Sequence, residues 1–447
     1  MFKENKVLEK LLSFGRKIIP RPVFVFFQPY YHYCLSLVAA LLYKFPARKL
    51  KVIGVTGTNG KSTVVYLISK VLEEDGFSVA SLSSVEFKIK SRTWPNDLKM
   101  TLPGRFKLQS FLKQAARSKC HYAILEMTSE GVKQHRHQFI NFDSIVLTNL
   151  TREHLESHGG FKNYRNAKGK LFRALKKEGK SIINLDDKNA GYFLEFKAGE
   201  KWGYGLTEVK KGIDKLVQAR EYQINPDGIN FKLGQTDFNI NLLGKFNLYN
   251  VLAAIAAILA EDISLDDIKE GIEKVKGIPG RLEIVVKEPF RVIVDYAHTP
   301  DALEKVYQTI KESFARLPGG QAGKIIGVLG AAGGGRDKWK RPEMGKITQK
   351  YLDKIIITNE DPYDENPNQI LSEIKSGISN DKIQSSNFFE ILDRREAINR
   401  ALRLAQSGDT VIITGKGCEP WLCVAKGKKI PWDDRRVVQE ELQKINK

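Results

Sequence analysis

The chain is poor in cysteine, with four in 447 residues (Cys34, Cys120, Cys418 and Cys423) and no CxxC pair. That spacing argues against a zinc ribbon and gives no sign of a disulfide framework, so reduced thiols in a cytoplasm are expected. It also lacks an apolar run of the roughly 20 residues a membrane-spanning helix needs. The best candidate, residues 33–43, falls short. No early apolar run leads to a small-residue cleavage site, so a signal peptide is not expected. Low-complexity tracts and solenoid-period repeats are absent as well. Acids are scarce relative to bases, 52 against 72, for a net charge of +20. Such an excess suits a nucleic acid, an anionic membrane surface or polyanionic small substrates. The basic residues do not interleave with aromatics as in known nucleic-acid modules. No nucleic-acid partner is therefore expected, and a non-enzymatic ATP- and nucleic-acid-binding protein is the remote alternative.

What is present is strand and helix in alternation. Residues 51–55 read as a short buried strand, followed by a Gly-rich turn and a helical pattern over 63–75. Further strands are expected at 122–126, 144–148 and 181–184, with helices over 108–118 and 164–177. Alternation of this kind means a mostly parallel sheet covered by helices. Residues 220–243 differ: short alternating strands broken by Asn225-Pro226-Asp227-Gly228, a hairpin signal. An Ala-rich helix follows over 247–260. A second alternating unit has strands at 290–295, 324–329, 354–358 and 410–414, after a linker at Gly277-Ile278-Pro279-Gly280. The fold class expected is α/β: a P-loop central domain with a mostly parallel sheet, plus a Rossmann-like C-terminal α/β domain. The expected divisions are 1–49, 50–279 and 280–447.

Residues 56–63 spell TGTNGKST between a strand and a helix. Glycines let backbone N–H groups converge on phosphate oxygens, and the helix start adds positive potential. Gly57, Thr58, Asn59, Gly60, Lys61, Ser62 and Thr63 are therefore expected to hold ATP. Lys61 would reach the β- and γ-phosphates, and Ser62 would ligate Mg²⁺.

TGTNGKST is also the form this loop takes in Mur ligases and their folate and cyanophycin relatives. Other motifs follow in that family's order: LEMTSEGVKQHR (125–136), TNLTREHLESHG (148–159), YRNAKGKLF (164–172) and LLGKFNLYNVLAAIAA (242–257). Then come GRLE (280–283), DYAHTPDALE (295–304), RDKWKRPEMG (336–345), EDPYDENP (360–367) and GKGCE (415–419). From about residue 51 to the end the chain resembles the Mur ligase family. DYAHTPDALE with RDKxKRP points to its MurE-type branch, which joins a diamino acid to UDP-muramoyl-L-alanyl-D-glutamate in peptidoglycan synthesis. The resemblance implies a cytoplasmic, monomeric enzyme that uses ATP and Mg²⁺ to make an acyl phosphate, which an amine then attacks. Metal ions and cationic donors suit so anionic a transition state. By resemblance Glu126 and His154 join Ser62 at the metal, and Lys168 matches a lysine that becomes a carbamate. Lys61, Glu126, His154 and Lys168 would be the catalytic group. Asn247 and Asn250 would face adenine, and Arg281, Asp295 and His298 would complete the ATP site from the C-terminal domain. The acceptor would meet Thr101, Ser129, Gln134 and Arg136. The amino acid would meet Arg336, Glu360, Asp361, Gly415 and Glu419.

Three departures shape the expectations. Residues 1–49 do not resemble the family's uridine-binding domain. Residues 1–50 hold nine Lys/Arg against two acids, with a cluster of aromatics. They read either as a helical lid on the next domain or as an interfacial helix at the inner face of the plasma membrane. The second reading keeps a lipid-linked or other carboxylate acceptor open as an alternative. Second, the DNPR selector for meso-diaminopimelate is Glu360-Asp361-Pro362-Tyr363 here. Tyr363 cannot make the bidentate Arg–carboxylate contact, which favours L-lysine or ornithine, with Glu360, Asp361 and Glu419 as ammonium acceptors. Third, Cys418 replaces the histidine of GKGHE and is expected to be a packing residue.

Overall fold

The structure, a computed structural model, describes residues 21–96, 100–207, 209–314 and 323–445. The first helix, α1 (Arg21–Tyr43), precedes β1 (Lys51–Thr56) and α2 (Lys61–Glu74). A hairpin-edged sheet then builds up: β2 (Val79–Leu82), β3 (Glu86–Ile89), β4 (Arg92–Pro95), β5 (Tyr122–Glu126), β6 (Phe142–Leu147), β7 (Leu175–Asn184), β8 (Glu200–Gly205) and β9 (Lys215–Gln218). Its order is β4-β3-β2-β5-β1-β6-β7-β8-β9. All neighbours pair in parallel except the β2–β3 and β3–β4 edges.

The central strands are buried on both faces, which is why β5 is a continuous apolar run ending in one acid. Strand alternation sends Ile53 and Val55 of β1 to one core, where α2 and α6 (Lys245–Leu259) pack. Val52 faces the other core, covered by α3 (Arg105–Arg117), the short α4 (Ser129–Lys133) and α5 (Phe161–Phe172). A small antiparallel sheet, β10 (Tyr222–Asn225), β11 (Gly228–Leu233) and β12 (Thr236–Ile240), leans on the α6 side through Ile229, Phe231 and Phe238. Its first turn is the one read from Pro226-Asp227.

The second large sheet comprises β13 (Glu283–Val286), β14 (Arg291–Val294), β15 (Ile325–Leu329), β16 (Lys354–Ile357), β17 (Phe388–Glu390) and β18 (Thr410–Ile413), in the order β13-β14-β18-β15-β16-β17. Only β13–β14 is antiparallel. One face is covered by α7 (Pro300–Phe314) and α8 (Lys340–Tyr351), the other by α9 (Arg394–Leu404) and α10 (Asp434–Ile445).

Two sequence expectations change. The helix read over 164–177 stops at Phe172, and Leu175–Asn184 is strand β7, which pairs with β6 on one side and β8 on the other. Pairing with two neighbours outweighs the helix preference of the lysine-rich stretch 176–180. The helix after the phosphate loop starts at Lys61, two residues before the expected start. Of the N-terminal reading, residues 1–20 lie outside the described residues. Residues 36–43 of α1 do rest on the central domain: Ser36, Ala39, Ala40 and Tyr43 are buried, and the helix packs on α3. Among the described residues no helix is long and apolar enough to cross a membrane.

The C-terminal helix α10 is tied down by a buried ion pair. Arg394 Nε and Nη2 donate to Asp434 at 2.9 and 2.7 Å, and Nη2 also reaches Thr414 O at 2.8 Å. Asp434→Ala leaves the guanidinium buried and uncompensated, a loss of about 3–5 kcal/mol. Chemical denaturation should show the C-terminal half unfolding at markedly lower denaturant. An unchanged midpoint would mean the pair contributes nothing.

Candidate active site

The phosphate loop leaves the carboxyl edge of β1, the edge where open parallel sheets bind ligands. Gly60 has φ +83, and a Cβ there would lie 2.2 Å from Asn250 Oδ1, so both conformation and space demand glycine. The segment after β6 props the loop. Thr58 N donates to Asn149 O at 2.9 Å, Asn59 N to Asn149 Oδ1 at 3.0 Å, and Thr148 Oγ1 to Asn59 O at 2.7 Å. Asn250 Nδ2 donates to Asn247 Oδ1 at 2.9 Å, so the two asparagines act as one unit against the loop. Lys61 Nζ rests on Thr58 O at 2.7 Å and lies 3.9 Å from Glu126.

Glu126 closes β5 beside the loop. Its Oε2 accepts from Ser62 Oγ at 2.7 Å and from Ser84 N at 2.9 Å. Among the described residues no three His, Cys, Asp or Glu side chains form a self-sufficient metal cluster. Mg²⁺ needs none, since it binds one or two carboxylates and completes its shell with waters and phosphates. The hard oxygens of Ser62 and Glu126, converging at the loop, fit that donor set. His154 and Lys168 line the same cleft. Lys168 Nζ donates to Gly57 O at 2.6 Å and is buried, while Lys170 is exposed. Burial, reinforced by Lys61, pushes the Lys168 amine well below the usual lysine range. Burial beside Lys340 and Lys168 lowers His154 to about 3, so its ring is neutral. His298, whose Nδ1 lies 2.8 Å from Tyr296 O, is driven down chiefly by burial.

The C-terminal domain closes over this edge, and the cleft between them is about 520 Å³. Arg281 crosses to Ser84 Oγ at 3.0 Å, and Asn59 Nδ2 crosses to Asp301 Oδ2 at 2.8 Å. Lys340 Nζ meets Glu153 Oε1 at 3.1 Å, both side chains being at most 5% exposed. Asp337 accepts from Leu155 N at 2.9 Å and from Glu156 N at 3.2 Å. Asp295 lines the cleft with one backbone hydrogen bond on each oxygen. It accepts from Leu282 N at 2.7 Å and Ala297 N at 2.6 Å, fixing the turn that carries Arg281.

At the far end of the cleft stand Arg336, Glu360, Asp361, Tyr363 and Glu419. Asp361 accepts from Lys416 Nζ at 2.9 Å and from Cys423 N at 2.8 Å. Glu419 accepts from the same ammonium at 2.6 Å and from Tyr296 OH at 2.9 Å. Lys416, unassigned from sequence, thus already satisfies two of the three expected ammonium acceptors. Glu360 differs: its Oε2 is buried without a partner, against Gly415. Burial raises its carboxyl to about 7.

Of the residues expected to meet the acceptor or the amino acid, Thr101, Ser129 and Arg136 line the cleft, but Gln134 and Gly415 do not reach its wall. Gln134 instead steadies Arg136, accepting from its Nη2 at 2.7 Å, and Gly415 gives Glu360 room. Glu130 pairs with His158 at 3.2 Å. Its neighbours His158 and Ser157 hold its carboxyl down to about 2 despite burial. Sequence reasoning missed Ser84, Glu153, Lys340 and Lys416. The last three sit inside motifs already quoted, TNLTREHLESHG, RDKWKRPEMG and GKGCE, so their motif membership was the available signal.

A phosphate loop on one domain, capped by a cation-bearing second domain, defines a nucleotide-dependent enzyme assembled by domain closure. Sequence patterns agree: the Mur ligase middle domain matches residues 55–258, and the Mur ligase glutamate ligase domain matches 280–417. A UDP-N-acetylmuramoyl-L-alanyl-D-glutamate–2,6-diaminopimelate ligase of Syntrophomonas wolfei is 38% identical over 92% of this chain and 81% of its own. One of the same name from Clostridium acetobutylicum is 35% identical over 92% and 82%. A solved ligase of that name has TM-score 0.58 at 30% identity, covering 89% of this chain and 79% of its own. Mycobacterium tuberculosis folylpolyglutamate synthase, solved with ADP and AMPPCP, shares the fold at TM-score 0.67 and 16% identity, over 85% and 91% of the two chains. The chain belongs to the Mur ligase family and is an ATP-dependent acid–amino-acid ligase.

Glu360 makes a pH prediction. Between the ordinary glutamate value of 4.5 and about 7, the folded protein keeps a proton that the unfolded chain has released. Stability attributable to this group therefore falls as pH rises through that window. Glu360→Gln, neutral throughout, should melt above the parent near pH 8 and equal to it near pH 4.5. A difference that does not vary with pH would show an ordinary carboxyl.

Proposed function

We propose that the protein joins the amino group of a diamino acid to the free side-chain carboxylate of UDP-muramoyl-L-alanyl-D-glutamate. The γ-phosphoryl group of ATP passes to a carboxylate oxygen and ADP departs. The amine then attacks the acyl carbon, forming the amide and releasing inorganic phosphate and a proton. The acceptor is suggested by the names of the relatives. The lining of the cleft supports it: the phosphate loop, the acids Glu360, Asp361 and Glu419, and the expected acceptor residues Thr101 and Arg136 all face one cavity. Lys61 and Arg281 bind and orient phosphate oxygens. When bound, Mg²⁺ at Ser62 and Glu126 neutralises charge on those oxygens.

Lys168 enters as a buried amine that gives up its proton more readily than an ordinary lysine. Such an amine attacks CO₂, forming an N–C bond and releasing a proton, which turns a cation into a carboxylate-like ligand. Lys168→Ala should lose at least about a hundredfold in turnover, with a short carboxylic acid restoring part of it. Wild-type turnover in the variant would remove Lys168 from the mechanism.

For the amino acid, the observation that carries the reading is the far pocket. Asp361 and Glu419 pair with Lys416, Glu360 lines the same cleft with an oxygen that has no partner, and Tyr363 takes the motif position of the arginine in the DNPR selector. A distal carboxylate meets no arginine at position 363 and has acids beside it, while the unpartnered Glu360 oxygen accepts an ammonium. L-lysine or ornithine fits better than the 2,6-diaminopimelate in the relatives' names. Phosphate release from ATP with UDP-muramoyl-L-alanyl-D-glutamate should depend on lysine or ornithine. Release with meso-diaminopimelate alone would overturn this choice. Silence with all three amino acids, from protein that still binds ATP, would move the acceptor to a lipid-linked or other carboxylate.

A further inference from the structure

Among the described residues the most apolar exposed surface lies on the outer face of α1. Phe26, Tyr30, Leu41 and Leu42 are each more than 55% exposed, and Phe27, Tyr31, Tyr33 and Val38 also face solvent. At 100° per residue these positions fill one continuous half of the helix. The opposite arc holds Ser36, Ala39, Ala40 and Tyr43, which are buried on the central domain. Other exposed large apolar residues, such as Met100, Val209 and Leu392, stand apart in sequence, whereas these eight form one patch.

Charge accompanies the patch. No Asp or Glu occurs from residue 10 to residue 72. Arg21 begins the helix, and Lys44, Arg48 and Lys49 follow its end. The last three are exposed, as are Arg117 and Lys119 at the end of the helix beneath. The inner face is firmly attached: Ser36 Oγ donates to His135 O at 2.9 Å, and Arg105 Nη2 lies 2.9 Å from His32 Nδ1. Whatever holds the outer face therefore holds the central domain.

We propose that the outer face of α1 docks the protein on an anionic lipid bilayer, the helix lying in the plane of the interface. Phe and Tyr rings with aliphatic side chains suit the boundary between headgroups and acyl chains, and basic residues at the helix ends suit anionic headgroups. A second copy fits poorly, since two-fold pairing would bring the same basic ends together with no carboxylate on either face. The proposal does not rest on the choice of amino acid or acceptor. It has a geometric consequence for the cleft. Arg105 Nη2 also donates to Gln134 O at 3.0 Å, and Gln134 steadies the cleft residue Arg136, so the acceptor side of the cleft adjoins the docked helix.

The test is co-sedimentation of the full chain with vesicles of mixed phosphatidylglycerol and phosphatidylcholine, and of phosphatidylcholine alone. Binding is expected to the mixed vesicles, at least about tenfold weaker without the anionic lipid. The combined variant Phe26→Ser, Phe27→Ser, Leu41→Ser, Leu42→Ser should lose binding while keeping the parent's melting temperature and ATP affinity. Lys44→Gln, Arg48→Gln, Lys49→Gln should weaken it and flatten its salt dependence. No sedimentation with either vesicle overturns the proposal, as does equal binding to both. A dimer in light scattering that the serine variant dissociates, without vesicle binding, would assign the face to a second copy instead.

Discussion

The site depends on one buried ion pair across the domain seam. Lys340, from the first turn of α8, meets Glu153, from the segment that props the phosphate loop, with almost no water at either side chain. Separating the halves would expose both charges to water, and turning either away within the seam would leave the other buried and unpaired. The pair therefore favours the closed apposition, helped by Asp337 beneath the turn at Leu155 and by Asn59 on Asp301. That apposition brings Arg281 over Ser84 and Glu126. Without it, the phosphate loop and the acid-lined pocket would belong to two separate domains.

Electrostatically the cleft is prepared for anions. Lys61, Lys168 and His154 all sit below their ordinary values, chiefly because burial penalises the charged form. Polyphosphate oxygens in the cleft would stabilise the protonated forms of Lys61 and His154 and draw their values back up. The far pocket has the opposite bias: it is rich in carboxylates, and burial, with Asp361 and Glu419 adding to it, holds the Glu360 proton towards neutrality. A cation-rich end for phosphate and an acid-rich end for an amine give the cleft a direction. The overall charge of +20 conveyed only the first half of that arrangement.

Much of the fold was legible because it depends on local pattern. Continuous apolar strands such as β5, the glycines at 57 and 60, and the turn at Pro226-Asp227 each imply their structure without distant partners. Residues 175–184 did not, because their strand exists only by pairing with β6 and β8. At the site, the phosphate-loop spelling pointed to Ser62 and the family resemblance to Glu126 and Lys168, which line one cleft, but neither gave their hydrogen-bond partners. Ser84 lies in no motif, and its link to Arg281 crosses 197 positions. The engagement of Asp361 and Glu419 by Lys416 likewise appears only when the loops at 361 and 416 meet. The N-terminal segment left two readings open from its sequence. The inner arc of α1 matches the packed reading, and its outer arc leaves the apolar surface on which the membrane proposal rests.

The central chemical claim is that ATP activates the acceptor as an acyl phosphate inside the closed cleft. The most direct measurement follows heavy oxygen placed in the acceptor's side-chain carboxylate through a single turnover. An acyl phosphate requires one labelled oxygen to leave with inorganic phosphate when the amine attacks, so labelled phosphate should appear in step with amide. Amide formed with unlabelled phosphate would contradict activation by phosphoryl transfer to that carboxylate.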